Sequence, residues 1–145
     1  MAESNNCATL YGKSLTISTK MSVEICDLIR NKPVAKARRL LQDAIDMKRP
    51  LPLKRFIADL GHKPGLGPAR YPISACNGFL KLFDSIESNA ENKGLNVNNL
   101  VIVFAKADKA EARWRYGRKG KTKMKNTHVK LTVEEKNLNN KGAKR

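Results

Sequence analysis

The sequence predicts an α/β (α+β) fold with three helices, three strands and a long β-hairpin. Three segments repeat apolar residues at helical spacing, and two strand-like runs, 100–104 and 128–133, flank a strongly basic segment. Residues 105–130 carry ten Lys/Arg against two acids, a net charge of +8 in a chain of net +16. Such a segment cannot enter a hydrophobic core, so we expect it to connect the two strands as an exposed hairpin arm.

The N-terminal part of the chain predicts a short strand followed by a helix. Leu15–Ile17 alternates in polarity and is taken as the strand. Ser18 or Thr19 is a suitable N-cap for the helix that follows. Its apolar residues recur on one face, namely Met21, Ile25, Leu28 and Ile29.

Two further helices are expected, one on each side of the Pro-rich segment 48–72. Pro33 ends the break after the first helix and suits the first turn of the second helix. One face of that second helix carries Val34, Ala37, Leu41 and Ala44. The third helix ends at Lys93-Gly94, a C-cap signal. Its apolar positions are Ile73, Cys76, Leu80, Phe83, Ile86 and Ala90.

Residues 48–72 contain five prolines and three glycines, which opposes regular structure. A loop of this length inside a small domain is usually functional or disordered, and a functional loop is favoured here. Four apolar residues are expected to anchor its first half as a helical turn or two, namely Leu53, Phe56, Ile57 and Leu60. The loop is basic, since residues 48–72 hold six bases and one acid.

The hairpin strands are expected at 97–107 and 128–133. The first is apolar on both faces at 100–104, which favours a strand covered on both sides, and the second alternates and is buried on one face only. A chain of 145 residues is expected to form one domain. We assign its boundaries as an N-terminal extension (1–13), one domain (14–134) that includes the hairpin arm (100–133), and a polar tail (135–145).

Composition restricts the function to a few classes. An excess of 29 Lys/Arg over 13 Asp/Glu is typical of proteins that bind nucleic acid or an anionic membrane surface. No run approaches the ~18 apolar residues of a membrane span, so membrane insertion is not expected. The three cysteines lie far apart without a Cys-x-x-Cys pair, which favours free thiols and a cytoplasmic location over a zinc site or disulfides.

No catalytic or cofactor motif is complete. Gly120-Lys-Thr122 resembles the end of a phosphate-binding loop, but the glycine required five residues earlier is Arg115. No residue is therefore nominated as catalytic or metal-binding, and no cofactor is expected. A nuclease or hydrolase acting on nucleic acid stays as a rival, and it would need a carboxylate cluster from Asp59, Asp108 and Glu111.

The hairpin tip carries the strongest functional signal. Seven of residues 111–125 are Lys/Arg, with two aromatic residues between them. Arginine matches phosphate geometry, lysine neutralises phosphates, and aromatic rings stack on unpaired bases, which together favour structured RNA. The candidate RNA-binding residues are Lys54, Arg55, Lys63, Arg70, Lys109, Arg113, Trp114, Arg115, Tyr116, Arg118, Lys119, Lys121, Lys123 and Lys125.

Several segments resemble one family. Ser88–Leu100, followed by a hydrophobic strand, the basic hairpin and Thr127–Leu131, is similar to the large-subunit ribosomal protein numbered twenty-two in universal naming and seventeen in eukaryotes. Asp27–Arg30 with Lys32, Val34 and Ala35 resembles the family's first helical pair. The resemblance covers roughly residues 14–134, and the long 48–72 connection is similar to the archaeal and eukaryotic form.

The resemblance implies both a fold and a function. The fold would be three helices packed on a small three-stranded antiparallel sheet. The globular part would lie on the outside of the large ribosomal subunit near the nascent-chain exit. The hairpin would pass through ribosomal RNA and line the peptide exit tunnel. Partners would be large-subunit ribosomal RNA, neighbouring ribosomal proteins and the nascent polypeptide. A non-ribosomal RNA-binding module or RNA chaperone is the alternative that shares this chemistry.

Overall fold

The computed structural model describes residues 6–57 and 59–136. The elements follow in the order β1 (Cys7–Leu15), α1 (Thr19–Ile29), α2 (Val34–Ile45), β2 (Leu51–Pro52), β3 (His62–Lys63), β4 (Gly67–Arg70), α3 (Ile73–Asn92), β5 (Leu100–Lys109) and β6 (Thr127–Glu135). Short 3₁₀ turns lie at Val97–Asn99 and Gly117–Lys119. The α+β class and the three predicted helices are confirmed.

The main sheet is antiparallel and has the order β1-β6-β5. β5 and β6 pair from Leu100 opposite Glu135 to Lys109 opposite Thr127. One face of this sheet packs on the helices, because Val129, Leu131 and Val133 are buried while the intervening residues of β6 are not. Burial of β6 on one face only is confirmed.

The core lies between the helical layer and this sheet face. Most positions of the predicted stripes supply it, and Ile25, Leu41 and Phe83 are at most 1% exposed. In α3, Ile73 lies outside the core, whereas Phe79, which the stripe did not include, is fully buried. The C-cap prediction at Lys93-Gly94 is also confirmed, since Gly94 has φ +74° and its N–H donates to the carbonyl of Glu91 at 2.9 Å. Glycine tolerates this left-handed backbone without steric cost.

The first strand was placed wrongly by the sequence pattern. The strand expected at 15–17 ends rather than begins at Leu15, and residues 7–13, assigned to an N-terminal extension, form most of β1. Its long pairing with β6 from Cys7 to Leu15 supplies the backbone partners that the local pattern could not reveal. At Gly12 an added Cβ would lie 2.9 Å from a methyl of Leu82, so β1 approaches α3 closely there.

Both ends of the hairpin strands also differ from the prediction. β5 begins at Leu100 rather than 97. Leu100, Val101 and Ile102 are buried, so the strand is covered on both faces there, but Phe104 is 42% exposed and the cover does not extend to the end of the predicted apolar run. The register shifts between Ile102 and Phe104, which turns Phe104 towards solvent. β6 extends to Glu135, so the expected tail begins one residue later, and its remainder beyond residue 136, like residues 1–5, lies outside the described residues.

The helical turns expected after Leu53 are absent from the described part of the 48–72 loop. Instead β2, β4 and β3 form a second small antiparallel sheet in that order. Between β2 and β3 the backbone N–H groups of Lys54, Arg55 and Phe56 all donate to the buried carboxylate of Glu24. A carboxylate that takes three successive N–H groups fixes a tight turn in place of a helix.

No helix among the described residues combines the length and the apolar character needed to cross a bilayer.

Candidate nucleic-acid interface

The two long strands continue past their ends as a less regular hairpin, residues 110–126, called the hairpin arm from here on. Its two sides are joined by backbone hydrogen bonds from Ala110 to Asn126, Met124 to Arg113 and Arg115 to Thr122, at 2.8–3.1 Å. A 3₁₀ turn at Gly117–Lys119 closes the far end, where Gly117 has φ +66°. The backbone of the arm is therefore ordered as a ladder, although no side chain from 111 to 126 is buried.

All the basic side chains of the hairpin arm are exposed, namely Arg113, Arg115, Arg118, Lys119, Lys121, Lys123 and Lys125. Within the described residues none of them forms a salt bridge with a carboxylate. Arg38 on α2 shows the contrast, because it pairs with Asp84 at 2.8 Å and with Glu87 at 2.7 Å. The cations of the arm thus keep their donors available for an anionic partner.

The two predicted aromatic residues of the arm are also exposed. Tyr116 is 94% exposed beside the turn, and Trp114 is 60% exposed. Trp114 and Lys123 form an isolated antiparallel bridge, and the ammonium of Lys123 lies 4.6 Å from the centre of the indole ring. This cation–π contact holds a cation and a stacking surface side by side, an arrangement suited to a phosphate with a neighbouring base.

The remaining candidate residues are exposed too but occupy different places. Arg70 at the end of β4 and Lys109 at the end of β5 line the same cavity as Lys123 and Lys125 of the arm. The guanidinium of Arg55 lies 5.4 Å from the ring centre of Phe56, next to that cavity.

Two of the candidates lie away from this group. Lys54 lines a separate small depression with Glu24 and Asp27, and Lys63 lies on β3. The structure therefore gathers four of the fourteen candidates at the base of the arm, places one beside them, and leaves these two outside that cluster.

Lys20 belongs to the same cationic group, although the sequence analysis did not select it. It lies in the first turn of α1, is exposed, and lines the cavity beside Arg70 and Lys109. A lysine in the first turn opposes the helix dipole, and this unfavourable placement was the signal that could have identified it.

The acidic residues give the nuclease hypothesis no support. The carboxylate of Asp108 pairs with Lys106 at 3.1 Å. Across residues 6–57 and 59–136, no group of three or more His, Cys, Asp or Glu side chains is arranged to hold a metal ion.

The buried thiols belong to the core. Burial raises the pKa of the Cys26 thiol to about 12 and that of the Cys76 thiol to about 11, because a thiolate is poorly solvated there. Both residues are free cysteines on the apolar faces of α1 and α3, and at neutral pH both are thiols.

Comparison with known proteins at the level of sequence identifies the family. The sequence profile of the family described as ribosomal protein L22p/L17e matches residues 10–134. Large ribosomal subunit protein uL22 of Thermofilum pendens is 46% identical over 98 residues, which cover 67% of this chain and 65% of that relative. The uL22 protein of Archaeoglobus fulgidus is 43% identical over 117 residues, covering 79% and 76%. That of Methanoregula boonei is 32% identical over 142 residues, covering 92% of each chain. The chain therefore belongs to the ribosomal protein L22p/L17e family.

Proposed function

We propose that this protein is a structural component of the large subunit of the cytosolic ribosome. In this proposal it binds ribosomal RNA through the hairpin arm and the basic residues at the base of the arm. The arm also lines the peptide exit tunnel. The observation that carries the RNA-binding part is the set of seven exposed arm cations without an acidic partner among the described residues. Repulsion among cations that are close together destabilises the isolated arm, and a phosphate backbone relieves it.

The role is architectural rather than catalytic. The folded body supplies a rigid base through the β5–β6 pairing, and the arm extends that pairing beyond the core. Phosphate contacts position such an arm, and Trp114 and Tyr116 offer stacking surfaces to unpaired bases. Neighbouring large-subunit proteins and the nascent polypeptide are the further partners in this proposal.

Replacing three arm arginines tests the RNA-binding part. We expect the combined Arg113→Gln, Arg115→Gln and Arg118→Gln variant to be depleted from large subunits on sucrose gradients, increasingly so at higher salt. A matched variant removes the same charge from exposed positions on α2 and α3, namely Lys36→Gln, Arg39→Gln and Lys81→Gln. Both variants should unfold within a few degrees of the wild type, because surface substitutions usually change stability by less than ~0.5 kcal/mol.

Salt titration gives the same test for the free protein. The logarithm of the association constant for purified large-subunit RNA should fall linearly with the logarithm of the salt concentration. The arm variant should show a slope smaller by about two to three, since each lost phosphate contact removes roughly one unit. Equal incorporation and equal slopes for the arm variant and the wild type would remove the arm as an RNA anchor.

The proposed position of the arm in the peptide exit tunnel needs a separate measurement. We expect a photo-crosslinking amino acid at Tyr116, which is beside the turn of the arm, to capture a radiolabelled nascent chain in stalled ribosomes. The same group at Tyr11, an exposed residue of β1, should not. Absence of crosslinks from position 116 would confine the arm to RNA binding, and sedimentation of the chain apart from large subunits at low salt would favour a non-ribosomal RNA-binding module.

A further inference from the structure

A cavity of about 730 Å³ lies where the start of α1, the loop after β2, the end of β4 and the base of the hairpin arm meet. We call it the junction cavity. Pockets of ~300–1,000 Å³ commonly hold a molecule of drug size, which includes a single nucleotide. Its position makes it continuous with the cationic surface of the arm.

The walls of the junction cavity are mostly apolar. They include the side chains of Met21, Phe56, Ile57 and Met124. The aromatic ring of Phe56 is half-buried, and the two methionines contribute flexible, polarisable side chains from opposite sides, α1 and the arm. Apolar and aromatic walls of this kind favour a flat, weakly hydrated group such as a nucleobase.

The rim of the cavity has the opposite character. Five exposed cations border it, namely Lys20, Arg70, Lys109, Lys123 and Lys125, and no acidic residue belongs to its lining. The first turn of α1 faces the same space, without an acidic residue and without a side-chain cap from Ser18. The free N–H groups of a helix start add to the attraction for an anion. The occupant should therefore combine an apolar ring with negative charge.

The wall formed by Phe56 and Ile57 is held in position by specific interactions. The carboxylate of Glu24, 5% exposed, accepts the N–H groups of Lys54, Arg55 and Phe56 at 2.7–3.0 Å. Ile57 has φ +60°, a backbone conformation that is strongly unfavourable for a β-branched residue. Strained residues held by their surroundings are concentrated at binding sites, which marks this wall as more than a surface irregularity.

We propose that the junction cavity receives one unpaired nucleotide of ribosomal RNA, with its base against Phe56 and the two methionines and its flanking phosphates on the cationic rim. This inference rests on the proposed RNA-binding function and adds a specific subsite to it. A duplex would offer phosphates alone, because its bases are stacked inside. The cavity would thus enclose one base, in addition to the phosphate contacts and the exposed stacking surfaces of the arm.

Methyl NMR of the full-length protein labelled at the methionine methyl groups tests this proposal. Single-stranded tetra-adenylate should shift the signals of Met21 and Met124 saturably and leave that of Met47, an exposed residue after α2, unchanged. An abasic tetramer with the same phosphates, and inorganic phosphate alone, should cause much smaller shifts. Equal shifts from adenylate and abasic tetramers would show an electrostatic contact only and would overturn the proposal.

Variants at the wall add a second, quantitative readout. Phe56→Ala should weaken tetra-adenylate binding roughly 5- to 150-fold, the range that corresponds to loss of one stacked base, while Phe56→Tyr should bind like the wild type. Phe104→Ala removes an exposed aromatic ring from β5 and serves as the control. Ala112→Trp fills the cavity from the arm side and should weaken binding without altering the Phe56 loop. Unchanged binding by Phe56→Ala and Ala112→Trp would refute the subsite.

The two proposals fail in different ways. If the wild-type protein sediments with large subunits but shows no base-dependent methionine shifts, the junction cavity is not a nucleotide site and the RNA-binding function stands. If the protein never enters large subunits, the ribosomal role fails whatever the shifts show. The triple arginine variant of the arm should retain the base-dependent shifts, because none of its three positions lines the junction cavity.

Discussion

Replacing Glu24 with glutamine should weaken the hydrogen bonds that hold the loop that carries Arg55 and Phe56. One carboxylate oxygen accepts the N–H groups of Arg55 at 2.7 Å and Phe56 at 2.8 Å, and the other accepts that of Lys54 at 3.0 Å. Glutamine keeps one acceptor oxygen but places an NH₂ group against the third N–H. One bond is therefore lost and two lose the assistance of the charge.

The expected loss of stability follows from these three bonds. A hydrogen bond to a charged group contributes about 1.5–3 kcal/mol net, and a neutral one about 0.5–1.5 kcal/mol. Losing one charged bond and weakening two should lower the free energy of unfolding by about 2–4 kcal/mol. The loss is smaller than the sum of the separate bonds, because Lys54 and Arg55 are exposed and water can satisfy part of the freed N–H groups. For a domain of this size, the melting temperature should fall by roughly 5–15 °C.

Urea unfolding followed by circular dichroism measures this change, with Asp27→Asn as the matched control on the same helix. Asp27 pairs with Arg30 at 3.2 Å, but both side chains are about half exposed, so its loss should cost at most about 0.5 kcal/mol. The m-value should stay constant in both variants. A Glu24→Gln variant as stable as Asp27→Asn would refute the claim that this carboxylate holds the loop.

Two further predictions concern the core. A thiol reagent at pH 8 should modify half-buried Cys7 in the native protein and leave Cys26 and Cys76 unmodified, because burial raises the pKa of both thiols and keeps them protonated. All three cysteines should react in denaturant, and fast reaction of a native Cys7→Ala variant would contradict this prediction. Phe79→Ala removes a fully buried ring and should lower the free energy of unfolding in urea by about 3–5 kcal/mol. Phe104→Ala, at a ring that is 42% exposed, should lower it by less than ~1 kcal/mol, and similar losses at both sites would disprove the assignment of the core.

The helices could be predicted because their information is local. The stripe Met21, Ile25 and Ile29 repeats at the helical period, and the same residues are buried in the structure. The C-cap at Gly94 is equally local. The hairpin could be predicted since its strands are joined by the arm itself, so charge and alternation within one continuous segment identify it.

The missed elements depend on partners that lie far away in the chain. β1 is held by β6, which is more than a hundred residues later, and its own residues alternate only weakly because Gly12 and exposed Tyr11 interrupt the apolar pattern. The turn at 54–57 depends on Glu24, 30 residues earlier along the chain. The junction cavity combines four separate segments, so no single stretch of sequence reveals it.

The stability of the fold and the proposed RNA binding depend on different parts of the same β-ladder. Up to the pair Lys109 and Thr127, β5 and β6 are supported by buried side chains, including Thr127 itself at 0% exposure. Beyond Ala110, the ladder continues mainly through backbone bonds, with one side-chain bond from the amide of Asn126 to the carbonyl of Glu111 at 2.8 Å and no buried side chain from 111 to 126. Backbone bonds add little net stability each, and repulsion among the seven cations opposes them. The body can therefore fold without neutralisation of the arm's cations, whereas the RNA partner that we propose would add stabilisation to the arm.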